Sequence, residues 1–217
     1  MEVCPTDDAA RCQALAGRMG LSLRTYQSQH FLLLWAGQAD AAAQTGGLLD
    51  QASRRFHDGF IAAGFPVKPP PDKLVWVCLG SYDALETYGR QADGVEVSWM
   101  DAFYSLRTNR VAVVQGGGSW ATAKAPSARA GAGVAFGSPG AGLTADGQLN
   151  LRTVTHELAH QLAFNSGLQR RGLTYAFWLT EGLATNFEAD TPDDVGPGRP
   201  SLVYQARLAE AKAAGRL

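Results

Sequence analysis

The sequence has almost no net charge and no long hydrophobic run. Its 217 residues include 19 basic and 20 acidic side chains, so no large electrostatic field favours nucleic acid or an anionic membrane surface. The longest apolar stretch near the start, Phe31 to Ala36, is far shorter than the roughly 18 residues that a membrane-spanning helix needs. We therefore expect a soluble chain with no nucleic-acid partner and no membrane segment.

Cysteine is also scarce. Cys4, Cys12 and Cys78 form no CxxC pair, which disfavours a thiolate metal site, and an odd number of cysteines does not define a disulfide framework. A bridge between Cys4 and Cys12 stays open as one alternative. The favoured interpretation is three unpaired thiols, with Cys78 in a buried strand.

No signal peptide is visible at the start of the sequence. Residues 1–11 contain three acidic side chains and no basic segment followed by an apolar one. An export signal that had been removed before Met1 would leave the same pattern. The compartment in which the protein works is therefore left unpredicted.

The first two thirds of the sequence predicts short strands separated by helices. One helix is predicted from Ala39 to Ala63, continuous or broken at Gly46 and Gly47, and another is predicted from an N-cap at Ser81 through Tyr88. Four prolines between Phe65 and Asp72 predict an extended connector, because proline cannot donate a backbone hydrogen bond. Strands are predicted in four apolar segments: residues 26–35, 74–79, 102–104 and 110–115.

The last third predicts a loop followed by helices. Residues 116–150 are dominated by glycine, alanine and serine, which predicts a long mobile loop without a core element. The apolar spacing from Leu151 to Leu217 predicts three helices, the first of which stops near Gly167. We expect one α+β domain over residues 1–217, in which a small mixed sheet within residues 22–150 packs on a helical part, residues 151–217.

His156, Glu157 and His160 form the pattern HExxH in the first of these helices. Residues four apart on a helix lie about 40° apart and one turn apart in height, so both imidazoles can reach one metal ion. Glu157 lies about 100° round, where it can contact a water molecule as a general base without binding the metal. The alternative is that both histidines are ordinary hydrogen-bonded residues. An apolar stripe that should face the core lies on the other side of this helix: Leu151, Val154, Leu158 and Leu162.

A third histidine ligand is not expected. The metzincin pattern requires glycine and histidine three and six residues after His160, but those positions hold Ala163 and Ser166. No histidine follows His160, so another imidazole could come only from His30 or His57. Both have a plainer interpretation as turn or surface residues.

A carboxylate is the expected third ligand. Glu181 lies 21 positions beyond His160, and the chain between them is long enough to reverse and pack a second helix against the first. On that helix Trp178, Thr185 and Glu188 share the side of Glu181. The alternative is a solvated helix glutamate without a role.

The phrase HELAH followed by WLTEGLATNFE resembles the gluzincin zinc peptidases, whose third metal ligand is a glutamate on a second helix. The longer context is similar to an uncharacterised bacterial peptidase-like family of unknown function, and the similarity covers residues 104–188. The resemblance implies a zincin-like fold, Zn2+ as cofactor and a peptide or protein substrate. It implies that His156, His160 and Glu181 bind the metal and that Glu157 is the catalytic base.

The sequence departs from the gluzincin pattern in two ways that bear on function. Residues 116–119 lack the glutamate motif with which gluzincin aminopeptidases bind the substrate amine, which favours an endopeptidase. Thr185 occupies a position where some gluzincins place an acid that orients a ligand histidine, so this orientation must be arranged differently. Tyr204, Tyr175 and Arg199 are candidates for the group that stabilises the oxyanion. The alternative function is a non-catalytic zinc-binding or interaction module that has lost this group.

The segment from Arg110 to Gln115 is a candidate for binding the substrate. It is β-branched, and an exposed edge strand offers unpaired backbone groups to an extended peptide. An interior strand is an equally good interpretation, because strand order cannot be read from one sequence. The edge-strand interpretation concerns six residues: Arg110, Val111, Ala112, Val113, Val114 and Gln115.

Overall fold

A computed structural model describes residues 20–97, 100–115, 150–189 and 191, some residues between 10 and 18, and the backbone of 135–136. These residues form a six-stranded mixed sheet with helices on both faces. The strands are β1 Arg24–Gln27, β2 Phe31–Trp35, β3 Leu74–Leu79, β4 Ala102–Ser105, β5 Arg110–Val114 and β6 Ala135–Phe136. The α-helices with assigned bounds are α1 Ala39–Ala62, α2 Tyr82–Tyr88, α3 Leu151–Asn165 and α4 Phe177–Asn186, and a π-helical turn, Gly89–Asp93, extends α2.

The strand order in the sheet is β1-β2-β3-β5-β4-β6. The three central strands, β2, β3 and β5, run parallel, and α1 connects the first two of them. The outer pairs are antiparallel. The predicted α+β class and mixed sheet are therefore confirmed. No helix in the described part of the chain is long and apolar enough to cross a membrane.

The predicted strand over residues 26–35 is in fact a hairpin of β1 and β2. Its turn is held by Asp50 of α1, whose carboxylate accepts hydrogen bonds from the backbone N–H groups of Gln29 and His30 at 3.0 and 2.9 Å. The hydroxyl of Ser28 donates to the same carboxylate at 3.1 Å. A buried acid on a neighbouring helix thus satisfies the turn.

Helix α1 is continuous across its glycine pair. Gly46 lies directly against the hairpin, where an added Cβ would be 3.0 Å from the Cβ of Ser28 and 3.1 Å from the ring of Tyr26. This glycine therefore allows the helix and β1 to approach closely, and it does not interrupt the helix.

The hydrophobic core has two layers, one on each face of the sheet. Strand β3 is buried on both faces: Trp76 and Cys78 contact the layer formed with α1, α3 and α4, whereas Val75 and Val77 contact the layer formed with α2. Cys78 is a buried free thiol, as predicted. Cys4 and Cys12 lie outside the described residues.

Most of the other predicted elements are confirmed. Residues 65–70 connect α1 to β3 without helix or strand, and Ser81 caps α2 by accepting a hydrogen bond from Ala84 N–H at 3.2 Å. Strands β4 and β5 are joined by a turn in which Asn109 has a φ of 59°, a left-handed conformation that asparagine tolerates.

Within the predicted loop of residues 116–150, the structure describes one short strand. Ala135 and Phe136 form β6, which pairs with Ser105 and Tyr104 at the outer edge of β4. Residues 116–134 and 137–149 lie outside the described residues, as does the third helix predicted for the C-terminal part.

Strand β5 is interior, so the edge-strand hypothesis for Arg110, Val111, Ala112, Val113, Val114 and Gln115 is wrong. Residues 110–114 pair with β3 on one side and with β4 on the other. The side chain of Gln115 is also engaged, because its Nε2 donates to the carbonyl of Cys78 at 2.8 Å. The backbone groups of β5 are used by its neighbours and are not available to pair with an added peptide strand.

Candidate metal centre

Helix α3 carries the HExxH pattern and lies on the sheet. It begins at Asn150, whose side chain accepts a hydrogen bond from Arg152 N–H at 3.0 Å, and Gly167, with a φ of 87°, ends it where predicted. The predicted apolar stripe faces the core: Val154, Leu158 and Leu162 are buried, and Leu151 packs against them. The sequence did not predict that the histidine side would be buried as well.

Gln161 fixes the position of α3 along the sheet. Its amide oxygen accepts a hydrogen bond from the indole N–H of Trp76 at 2.8 Å. Its amide nitrogen donates to the carbonyls of Asn109 at 3.0 Å and Val75 at 3.3 Å. These three bonds join the helix to β3 and to the turn before β5, one residue after His160.

Helix α4 packs against α3 through two small buried residues, Thr180 and Ala184. Leu179, one residue before Thr180, is 45% exposed. Small side chains let the two helices approach closely, and this brings Glu181 within reach of the histidines.

His156, His160 and Glu181 converge at one point. The Nε2 atoms of the two imidazoles are 3.2 Å apart. The carboxylate of Glu181 lies 3.4 Å from Nε2 of His156 through Oε2 and 3.3 Å from Nε2 of His160 through Oε1. These three residues could hold a metal ion, since one ligand atom from each lies within 4.8 Å of the others. The histidines are buried, and the Glu181 side chain is 21% exposed, so the group opens on the side of α4.

Glu188 lies behind His156. Its Oε1 is 2.9 Å from Nδ1 of His156, and its Oε2 is 4.0 Å from Nη1 of Arg152. The sequence placed Glu188 on the side of Glu181, but it gave no role to this residue. Helical spacing does not account for its position, because α4 ends at Asn186 and Glu188 lies beyond the C-cap residue, Phe187.

The pKa values in this group reflect its carboxylates. Burial lowers the pKa of His156, but hydrogen bonds to Glu181 and Glu188 outweigh burial and raise it to about 10. Burial lowers the pKa of His160, and the neighbouring charge of His156 adds to this effect. Burial raises the pKa of Glu181, but hydrogen bonds with both imidazoles outweigh burial and lower it to about 2. The carboxylates thus favour a positive charge between them.

Glu157, the candidate base, is on the same helix as both histidines. Its side chain is fully buried, and its negative charge is one of the causes that raise the pKa of His156. A carboxylate in this position adds to the negative field around the two imidazoles.

The other predicted candidates do not join this group within the described residues. The hydroxyl of Tyr175 accepts a hydrogen bond from Arg170 N–H at 2.8 Å, and its ring contacts Phe164, so Tyr175 closes a loop before α4. Tyr204 and Arg199 lie outside the described residues. His30 is in the β1–β2 turn, as expected. His57 is not a surface residue: it is buried on α1, with Nδ1 2.7 Å from the carbonyl of Ser53.

A group of exposed apolar side chains lies at the start of α4 and in the loop before it. Trp178 and Phe177 are the most exposed, at 74% and 70%, and Leu173 and Leu179 are also exposed. Trp178 precedes Glu181 by three positions, so the two lie on one side of the helix, about one turn apart. An exposed apolar surface of this kind marks a site of interaction more often than isolated apolar residues do.

Comparison with known proteins gives one match. A family model described as "Protein of unknown function (DUF1570)" matches residues 150–208, which include α3, α4 and the four residues His156, His160, Glu181 and Glu188. No curated protein and no solved structure matches this chain. The matched segment therefore contains the candidate metal centre, and it assigns no activity to it.

Proposed function

We propose that this protein is a zinc-dependent peptidase that cleaves within polypeptide chains. The observation that supports this most directly is the convergence of His156, His160 and Glu181, with Glu157 next to the first ligand on the same helix. A set of two imidazoles and one carboxylate is the ligand set of one class of catalytic zinc sites, which leave a position open for water.

The spacing of the three residues suits zinc. Ligand atoms about 2.0–2.1 Å from a tetrahedral ion are separated from one another by about 3.3 Å. The separations here are 3.2, 3.3 and 3.4 Å. Imidazole nitrogen and carboxylate oxygen are also donors that zinc accepts readily. When bound, zinc would polarise the scissile carbonyl and lower the pKa of a bound water molecule.

Glu157 would act as the general base. Its carboxylate would take a proton from the attacking water as the new C–O bond forms, and it would then give that proton to the nitrogen of the leaving amine as the C–N bond breaks. The flanking histidines stay in place during this transfer. Burial of Glu157 keeps bulk water from competing for the proton.

The substrate would be an unfolded or flexible peptide with apolar side chains. Glu181 is on the open side of the site, and Trp178 is exposed one turn earlier on the same helix. A side chain next to the scissile bond would contact this indole ring. Aromatic rings provide large apolar contact areas at low entropic cost.

A non-catalytic metal-binding module is the second candidate. It is favoured by the contacts of Tyr175, since its hydroxyl already accepts a hydrogen bond from Arg170 N–H and its ring packs on Phe164. A protein without an oxyanion stabiliser would bind zinc but turn over substrate slowly, because removing one such group typically lowers kcat by about 10²–10³.

Hydrolysis of unfolded casein by the zinc-loaded protein distinguishes the two functions. We expect cleavage that stops when a chelator removes the metal and returns when zinc is restored. New internal cleavage sites, mapped by mass spectrometry, would identify an endopeptidase. Zinc binding without cleavage over a broad range of pH and substrates would favour the non-catalytic module instead.

A further inference from the structure

Glu188 has a place next to the metal centre but no part in the proposed hydrolysis. We propose that Glu188 positions His156 for metal binding: its carboxylate accepts the Nδ1 proton of His156 and leaves Nε2 free to bind the ion. This inference rests on the metal site of the proposed function. The evidence for it is the 2.9 Å contact between Oε1 of Glu188 and Nδ1 of His156, with both side chains buried.

The residues on either side of Glu188 in the chain, Phe187 and Ala189, hold it in place. Phe187 is buried between α1 and α4, with its ring 5.0 Å from that of Phe56 and 5.9 Å from that of Phe60. On the other side, Ala189 N–H donates to the hydroxyl of Thr155 at 3.1 Å. Thr155 immediately precedes His156 on α3, so the segment that carries Glu188 is tied to the helix that carries the ligand.

The contact between Glu188 and His156 matters because it bears on which ring nitrogen of His156 carries the proton. A neutral imidazole has one N–H, and the nitrogen that carries the proton is set by the hydrogen bond that the ring makes. In the neutral ring, a proton on the Nδ1 that contacts Glu188 would leave the lone pair on Nε2, the atom of His156 that is 3.2 Å from Nε2 of His160. A carboxylate in this role also makes the imidazole a stronger donor to a metal.

The second oxygen of Glu188 faces a basic side chain. Nη1 of Arg152 lies 4.0 Å from this oxygen, and Arg152 is on the first turn of α3. The guanidinium of Arg152 and the imidazole of His156 thus face the two oxygens of one carboxylate. One carboxylate therefore links the beginning of the helix to its first metal ligand.

A purely structural role would predict a different result. If Glu188 only fastened the end of α4 to α3, any change that loosens this segment would weaken metal binding to the same extent. Thr155→Val provides the matched control, because valine keeps the shape of threonine but removes the hydroxyl that accepts from Ala189 N–H. It leaves the carboxylate of Glu188 in the chain.

The test measures zinc affinity by competition with a chromophoric chelator in wild type, Glu188→Ala, Glu188→Gln and Thr155→Val. We expect affinity to fall about 10–100-fold in Glu188→Ala, which is typical for loss of a group that orients a metal ligand. Glu188→Gln should retain part of the affinity, since its amide oxygen still accepts from Nδ1–H without the charge. Thr155→Val should lower the free energy of unfolding and change zinc affinity less than either Glu188 variant does.

Nitrogen-15 NMR of the zinc-loaded protein reports the orientation directly. In wild type we expect His156 to show a protonated Nδ1 with a downfield proton resonance, which moves upfield in Glu188→Gln. Zinc affinity and this resonance both unchanged in Glu188→Gln would overturn the proposal, and this variant decides the matter if Glu188→Ala does not fold. Wild type that binds no zinc would instead overturn the metal site itself.

Discussion

Nε2 of His156 and Oε2 of Glu181 lie 3.4 Å apart, although they belong to different helices and are 25 positions apart in the chain. The contact exists because the chain reverses between α3 and α4 and because Thr180 and Ala184 allow the two helices to pack closely. Glu181 is therefore the residue by which the second helix would complete the metal site.

Glu181→Ala should abolish stable zinc binding, because two imidazoles alone leave the ion with too few protein ligands. Elemental analysis of the purified wild type should give about one zinc per chain, and the variant should give far less. Glu86→Ala is the control, since Glu86 is an exposed helix glutamate that pairs with Arg90. Full zinc content in Glu181→Ala would remove Glu181 from the site.

Glu157→Gln should separate catalysis from metal binding. An amide cannot accept the proton of the attacking water, so we expect hydrolysis to fall by about 10²-fold or more, whereas zinc content and folding are retained. The measurement is cleavage of an unfolded protein at equal zinc loading, with circular dichroism to compare folding. Equal cleavage by wild type and Glu157→Gln would contradict the proposed mechanism.

Local sequence signals predicted much of this fold. The N-cap at Ser81, the prolines of residues 65–72 and the apolar run of β3 act over a few residues, and all three expectations are confirmed. The same is true of α3, whose first residue, Leu151, and whose end near Gly167 follow from capping and from backbone conformation.

Features that depend on distant parts of the chain were predicted poorly. Whether β5 was interior depended on its pairing with β3 and β4, which no local pattern encodes. The turn at residues 28–30 is held by Asp50, and Gly46 is explained only by the nearby hairpin. Glu188 belongs to the same class, because its contact with His156 requires the packing of α4 on α3.

Cys78 should be chemically inert in the native protein. Burial in β3 raises the pKa of its thiol, so the reactive thiolate is disfavoured. Above about pH 9 the unfolded chain would release this proton while the native chain keeps it, so this group makes folding less favourable as pH rises through that range. Iodoacetamide at pH 8 should modify Cys78 in urea but not in buffer, as read by peptide mass spectrometry. Rapid labelling of Cys78 in buffer would show that β3 opens easily.

Trp178→Ala tests whether the apolar surface beside the candidate metal centre binds the proposed substrate. Because Trp178 is 74% exposed, removing its side chain should change the free energy of unfolding by no more than about 0.5 kcal/mol. Zinc content should also be unchanged, since the indole is not a ligand. If a substrate side chain contacts this ring, KM for peptides with apolar residues near the cleavage site should rise several-fold, while KM for otherwise identical polar peptides changes little.

Ile61→Ala is the matched control for this prediction, because Ile61 is also exposed and apolar but belongs to α1. The comparison separates a contact made at the start of α4 from a general effect of removing apolar surface. A rise in KM in Trp178→Ala alone would place the substrate along the side of α4 that carries Glu181. Unchanged KM and unchanged cleavage sites in both variants would mean that the exposed indole serves another purpose, and that the substrate approaches the metal from a different side.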